Sequence, residues 1–233
     1  MKYIDLHNYL KKIVNYENKE IVIDEKIIVQ NYNFESAYRF LLPGGAGNQD
    51  SYEYCTAANP DYEPDIIQSM INKCDAEIME NIKFRYHLFR PKGDNKVNHV
   101  ILLFHGFNEK YWAKYLTWAK TLVEETGKAV LLFPIAFHMN RAPLSWSDSR
   151  QMFAISQQRK ERHSDVLCST LSNVAISTRL HNKPQRFIWS GLQTYYDVID
   201  LVEQVKAGLH PAIEKDASID FFSYSIGSFL AEI

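Results

Sequence analysis

The sequence predicts an α/β fold built on a mostly parallel sheet. Two segments, 100–104 (VILLF) and 129–133 (AVLLF), are apolar at every position, which is typical of strands buried on both faces. Apolar residues at helical spacing lie between them over 110–126, and Gly127 follows as a helix-ending residue. Strand, helix and strand in this order predict a right-handed parallel βαβ unit. A further, mostly apolar segment, 219–222 (IDFF), predicts another core strand.

Residues 1–81 are predicted to form an N-terminal extension of helices and short strands that packs on this core. Apolar positions three and four apart predict a helix over 5–16, and Pro64 is typical of the first position of a second helix. Runs of β-branched or apolar residues predict short strands at 20–24, 26–30 and 37–42.

Residues 82–233 are predicted to form the core, interrupted by an insertion. Alternating residues over 83–90 predict an antiparallel strand at its start. The segment 136–189 breaks the alternation of strands and helices and is too long for a plain loop. Because it also carries a predicted helix over 165–178, it is interpreted as a helical lid. A helical pattern over 191–207 then returns the chain to the core.

Composition and charge argue against several classes of function. The chain has 233 residues and a net charge of −2, without a long run of Lys and Arg, so no nucleic-acid partner is expected. The three cysteines are widely spaced and no Cys/His ligand spacing occurs, so neither a metal site nor a cofactor is expected. No stretch approaches the roughly 18 apolar residues of a membrane span, and the start lacks the apolar segment of a secretory signal. These features predict a cytoplasmic location.

The most informative motif follows the strand at 219–222. It reads Ser-Tyr-Ser-Ile-Gly, and the start of a helix is predicted directly after it. Small residues therefore flank Ser225 on both sides: Ser223 lies two positions before it and Gly227 two positions after it. A serine on a sharp strand-to-helix turn needs small flanking residues, because a larger side chain would collide with the neighbouring strand or helix. The pattern predicts a nucleophile elbow with Ser225 at its tip.

Backbone amides are expected to converge on this serine. The first N–H of the following helix, that of Ile226, points to the turn at the positive end of the helix. A second donor is predicted in the loop after the strand 100–104, where Gly106 permits a close backbone approach and the Phe107 N–H follows. The ring of His105 is expected to brace this loop rather than to transfer protons.

In this order, the loop His105-Gly106-Phe107, the βαβ unit, the insertion and the Ser225 elbow resemble the α/β-hydrolase superfamily over about residues 83–233. The resemblance implies that Ser225 attacks an acyl carbon while the Phe107 and Ile226 amides hold the oxyanion. It implies an esterase, lipase or acyltransferase acting on a small-molecule acyl substrate through an acyl-enzyme.

The chain departs from that family after the serine. Family members carry the acid and the histidine later in the chain, but the eight residues after Ser225 include neither His nor Asp. We therefore expect the base and acid, and the C-terminal part of the core, to lie beyond Ile233 or on a second chain. This chain alone is then predicted to be inactive. His138, after the strand 129–133, is the alternative base.

Three further alternatives stay open from the sequence. Ser225 could simply occupy a tight turn. The whole chain could be a non-catalytic α/β-hydrolase-like protein that serves binding or assembly. The insertion also carries Arg141, Trp146 and Asp148, which could recognise a substrate or belong to a packed or solvated surface. The substrate itself and the oligomeric state are not predicted.

Overall fold

The computed structural model of the chain describes residues 2–42, 45, 74–93, 95–163, 165, 170–181 and 185–232. Within them the strands are β1 (Glu20–Val22), β2 (Ile27–Glu35), β3 (Lys83–Pro91), β4 (Val97–Phe104), β5 (Ala129–Leu132) and β6 (Ile213–Ser223). The α-helices are α1 (Tyr3–Ile13), α2 (Met79–Ile82), α3 (Ala113–Thr126), α4 (Ser149–Arg162), α5 (Leu171–His181), α6 (Arg186–Lys206) and α7 (Ile226–Ala231). Short 3-10 helices lie at Tyr38–Leu41, Asp75–Glu77, Met139–Arg141 and Leu144–Ser147.

The strands form one mixed sheet in the order β1-β2-β3-β5-β4-β6. β4 pairs in parallel with β5 and with β6, whereas β1–β2, β2–β3 and β3–β5 are antiparallel. The prediction of a mostly parallel sheet is therefore wrong, although the α/β class is correct. The physical reason is that β2 continues the sheet through full antiparallel pairing with β3, so strands of the N-terminal extension make up part of the sheet itself.

Both faces of the central strands are covered. α1 and α3 pack on one face, around buried side chains such as Leu10, Leu116 and Leu132. α6 and α7 pack on the other face, around side chains such as Leu102, Leu201 and Leu230. Every residue of β5 is buried, which explains its uniformly apolar sequence. The predicted βαβ unit is confirmed, and Gly127 ends α3 with a left-handed φ of 69°.

The connections place a crevice between β4 and β6. The chain leaves β4 through α3 to reach β5 on one side, and it reaches β6 on the other side through α6. The helices of these connections lie on opposite faces of the sheet. In open α/β sheets, ligands bind outside the carboxyl ends of the strands at such a reversal of strand order. The loops after β4 and β6 meet at this position.

Several local predictions differ from the structure. Residues 37–42, predicted as a strand, contain the 3-10 helix Tyr38–Leu41, and Ala37 before it already has helical φ and ψ. α6 begins at Arg186 rather than at Gly191, which lies inside the helix. The helix predicted from Pro64 lies outside the described residues. None of the helices in the described ranges combines the length and apolar character needed to cross a membrane.

The segment 136–189 is mostly helical where it is described. α4 is a largely polar helix that the apolar pattern did not predict, and the Asp148 side chain caps it by accepting from the Arg150 and Gln151 N–H groups. α5 begins six residues later than the helix predicted over 165–178. Apolar side chains of this segment, among them Trp146, Met152 and Val174, form a separate small core.

Candidate active site

Ser225 lies on a sharp turn between a strand and a helix. β6 ends at Ser223 and α7 begins at Ile226. Ser225 has φ 57° and ψ −120°, a combination that side-chain-bearing residues rarely adopt and that costs about 1–3 kcal/mol. The Gly227 N–H donates to the Tyr224 carbonyl at 3.1 Å, and the Ser228 N–H donates to the Ser225 carbonyl at 2.9 Å. These bonds hold the serine, whose side chain is exposed, at the tip of the turn.

Gly227 is required by the close approach of β4. A Cβ at this position would lie 2.8 Å from the His105 carbonyl oxygen and 2.8 Å from the Phe104 Cβ. Ser223 pairs with Phe104 in the sheet, and the Tyr224 N–H donates to the Phe104 carbonyl at 3.2 Å. The two small residues that flank Ser225 therefore lie where the turn passes the end of β4.

We expect Gly227→Ala to lower the free energy of unfolding by about 1–3 kcal/mol, because the added methyl group overpacks a backbone contact. The matched control is Gly191→Ala, since Gly191 is also helical but a Cβ there meets no atom within 4 Å. The control should raise the free energy of unfolding by up to about 1 kcal/mol through helix propensity. Urea denaturation of both variants measures the difference, and equal effects would contradict this account of Gly227.

The loop after β4 contacts the turn directly. A Cβ on Gly106 would lie 2.9 Å from a ring carbon of Tyr224, the residue before Ser225. The Gly106 N–H donates to the Tyr115 hydroxyl at 2.7 Å, which ties the loop to α3. The Lys114 amino group lies 4.4 Å from the centroid of the Tyr224 ring, within cation–π range. Gly106 therefore fits here because it lacks a side chain.

His105 is a buried, neutral brace of this loop. Its Nε2 accepts from the Ile135 N–H at 3.0 Å, so the proton is on Nδ1, which donates to the Gly106 carbonyl at 2.8 Å. Burial, followed by repulsion from His138, lowers the pKa of His105 well below its ordinary value. The bond from the Ile135 N–H joins the loops after β4 and β5, and the bond to the Gly106 carbonyl lies within the loop after β4, so both ring nitrogens are engaged.

Phe107 and Ile226, whose amides are the predicted donors, line the same cavity. Among the described residues, neither N–H donates a hydrogen bond to an acceptor. Phe107 belongs to the loop after β4, and Ile226 is the first residue of α7. The structure thus brings the two residues that were predicted to supply amide donors to one concave surface next to Ser225.

The cavity has a volume of about 530 Å³. It lies between the loop after β5, the first turns of α6, α7, and the segment that contains Trp146 and α5. Most of its wall is apolar; the lining includes Ile135, Phe137, Trp146, Phe187, Leu192 and Phe229. A volume of this size and an apolar wall are typical of small-molecule sites.

His138 also lines this cavity, and its side chain is 7% exposed. Its ring centroid lies 5.3 Å from that of His105 and 5.7 Å from that of Phe107. Its Nδ1 lies 2.9 Å from the Ala136 carbonyl oxygen. The alternative base considered from the sequence is therefore in the wall of the cavity, packed between aromatic rings.

The three residues considered for substrate recognition have different positions, and Asp148 is the cap of α4. Trp146 lines the cavity. Arg141 is fully buried away from the cavity wall, 2.7 Å from the Asp197 carboxylate, and its guanidinium lies 4.0 Å from the centroid of the Phe84 ring. It also donates to the Asn81 side chain and backbone. These contacts favour the packed role for Arg141.

Sequence reasoning missed two buried ion pairs beside the site. Asp197, on α6, balances Arg141, and Asp75 accepts a forked set of hydrogen bonds from Arg186 at the start of α6. Arg186 also lines the cavity and stacks on Trp146, with 4.7 Å between the guanidinium carbon and the ring centroid. The sequence carried one sign of the first pair. Asp197 lies four residues before Leu201, on the side of α6 that is otherwise apolar, and a charged residue in such a position needs a partner.

Unusual backbone conformations are concentrated at this edge of the sheet. Besides Ser225, three non-glycine residues in the described ranges have positive φ: Asn108 (57°), Phe137 (63°) and Met139 (49°). Asn108 follows β4, and the other two follow β5. All four therefore lie in loops at the carboxyl ends of strands, where strain is commonly associated with function. The described residues contain no group of three His, Cys, Asp or Glu side chains placed to hold a metal ion.

Comparisons with known proteins add a family match. A family model described as a family of unknown function (DUF6051) matches residues 1–233. A search of curated proteins found no match.

Proposed function

The chain belongs to the DUF6051 family, and from the geometry of its own site we propose that it is a serine hydrolase acting on an ester or similar acyl bond. The observation that carries the proposal is the conformation of Ser225, at φ 57° on a strand-to-helix turn, beside a cavity lined by Phe107 and Ile226. A strained serine and amides without acceptors at one crevice are the parts that acyl transfer uses.

In the proposed reaction the Ser225 hydroxyl oxygen attacks the acyl carbon as a base removes the hydroxyl proton. The carbonyl oxygen gains negative charge, and the amides of Phe107 and Ile226 would donate hydrogen bonds to it. One such donor is typically worth about 10²–10³ in turnover. The bond to the leaving group then breaks, the leaving group takes the proton, and water or another acceptor releases the acyl group from Ser225.

The base is proposed to be a histidine outside the described residues, on a further segment or a second chain that completes the sheet beside β6. Two observations support this placement. His105 uses both ring nitrogens for backbone hydrogen bonds and has a strongly lowered pKa. Phe221 and Phe222 on β6 are 51% and 39% exposed, so this edge strand has apolar surface that an added element would cover.

A fluorophosphonate probe tests the proposal on the protein expressed from its native gene. Fluorophosphonates form a covalent bond to an activated serine, so we expect stoichiometric labelling, mapped by mass spectrometry to the peptide that contains Ser225. A heat-denatured sample provides the control, because labelling requires the folded turn. An absence of labelling, or labelling at another residue, would contradict the proposal. Absence would favour a non-catalytic binding or assembly protein, for which Ser225 is simply a turn residue.

A further inference from the structure

The cavity beside Ser225 has features that select one class of substrate. Phe107 and Ile226 both line it, and Ser225 directly precedes Ile226, so an acyl group bound to Ser225 would lie beside this cavity. The remainder of the acyl group would then extend into the same cavity. Side chains from the loop after β5, such as Ile135, and from α7, such as Phe229 and Leu230, surround that space.

Two polar side chains of the wall, Arg186 and Ser190, are already engaged in contacts within the chain. Arg186 forms a forked ion pair with Asp75, with N–O distances from 2.6 to 3.2 Å. The Ser190 hydroxyl donates to the Ala136 carbonyl at 2.8 Å. A charged ligand would therefore have to compete with existing bonds of these groups, whereas an apolar ligand would leave them intact.

Gly191 adds a second, independent observation. It lies inside α6, where glycine costs up to about 1 kcal/mol relative to alanine. Packing does not require it, because a Cβ at this position would meet no atom within 4 Å. Gly191 nevertheless lines the cavity. The absence of a side chain at this position leaves space for a ligand that a larger residue would fill.

We propose that this cavity binds the uncharged, apolar acyl chain of the substrate, with roughly eight to twelve carbons. The length follows from the volume, since 530 Å³ holds about eighteen groups of about 30 Å³, the share of one water molecule in the liquid. Part of this volume is needed for the ester group and its leaving group. The inference rests on the proposed function, because the position of the chain is defined by attack of Ser225.

The test is a chain-length series of p-nitrophenyl esters, from acetate through octanoate to dodecanoate, with the protein expressed from its native gene. Each buried methylene should raise kcat/KM by about fourfold. We therefore expect at least about a hundredfold preference for octanoate over acetate. Hydrolysis of acetate without this preference would overturn the acyl-chain inference while leaving the proposed function intact. No hydrolysis and no fluorophosphonate labelling would overturn the proposed function, and the inference with it.

Gly191→Phe tests the location of the chain. The ring should occupy the space beside α6, so the octanoate-to-acetate ratio of kcat/KM should fall at least tenfold. The matched control is Glu203→Phe, which adds the same ring to an exposed position of α6 and should leave the ratio unchanged. An unchanged ratio in Gly191→Phe would overturn the proposed location. The chain-length series in the unmodified protein decides the substrate class even if this variant fails to fold.

Discussion

Replacement of Ser225 by alanine is expected to lower kcat for ester hydrolysis by about 10⁵- to 10⁶-fold and to abolish fluorophosphonate labelling. Loss of a nucleophilic serine removes the acyl-enzyme route, and the rate that remains comes from the amide donors and from substrate binding. Initial-rate kinetics with the preferred p-nitrophenyl ester measure the change. The variant should retain its fold, because alanine removes only the exposed hydroxyl group.

Two further variants define what this result means. Ser228→Ala changes a serine three residues later on α7 and should retain activity within a few-fold. His138→Asn keeps a side-chain amide that can donate to the Ala136 carbonyl, so it should lower kcat by about tenfold or less if the base lies elsewhere. A loss in His138→Asn as large as that in Ser225→Ala would contradict our placement of the base and assign that role to His138. Full activity of Ser225→Ala would contradict the proposed function.

The second large effect is expected at the buried ion pair between α6 and the loop after β5. Asp197→Ala should lower the free energy of unfolding by about 3–5 kcal/mol, because it leaves the fully buried Arg141 guanidinium without its counter-charge. Asp200→Ala is the matched control, since Asp200 lies three residues later on α6 and is only partly buried. Its effect should stay below about 1 kcal/mol. Urea denaturation of the two variants measures both effects.

A double variant separates the charge from the packing. Arg141→Met combined with Asp197→Leu replaces the pair by apolar side chains, and it should recover most of the stability lost in Asp197→Ala. If the single variant Asp197→Ala were as stable as the unmodified chain, the pair would be unimportant for the fold. If the double variant were no more stable than the single one, hydrogen bonds of Arg141 to Asn81 would be the main contribution instead.

The core of the fold could be predicted from the sequence where burial determines the residue types. Segments such as 129–133 are apolar throughout because both faces are covered, and the alternation over 83–90 is sufficient to locate β3. The order of the strands in the sheet could not be predicted in this way. Nothing in the sequence of β2 states that it pairs with β3 rather than packing as a separate unit, since that pairing depends on contacts distant along the chain.

At the candidate site, too, local features could be predicted and long-range contacts could not. The strand-to-helix turn at Ser225 could be predicted because small residues at fixed spacing reflect a local steric requirement, which the contacts of Gly227 illustrate. The surroundings of Arg141 could not be predicted, because its partners Asn81 and Asp197 lie about 60 residues away on either side. The helix predicted over 191–207 starts five residues too late, because Gly191 lies in the interior of α6, which begins at Arg186.

The positive φ angles of Asn108, Phe137, Met139 and Ser225 have a thermodynamic consequence. Such a conformation costs up to about 1–3 kcal/mol, least for Asn108, in a domain whose total stability is expected to be about 5–15 kcal/mol. The crevice thus holds its shape at the expense of a large fraction of the folding free energy. In return, backbone groups there are oriented before a ligand arrives, so that little reorganisation entropy is lost on binding. Substitutions that let these loops adopt ordinary backbone angles would raise the stability of the fold, but they would change the shape of the crevice.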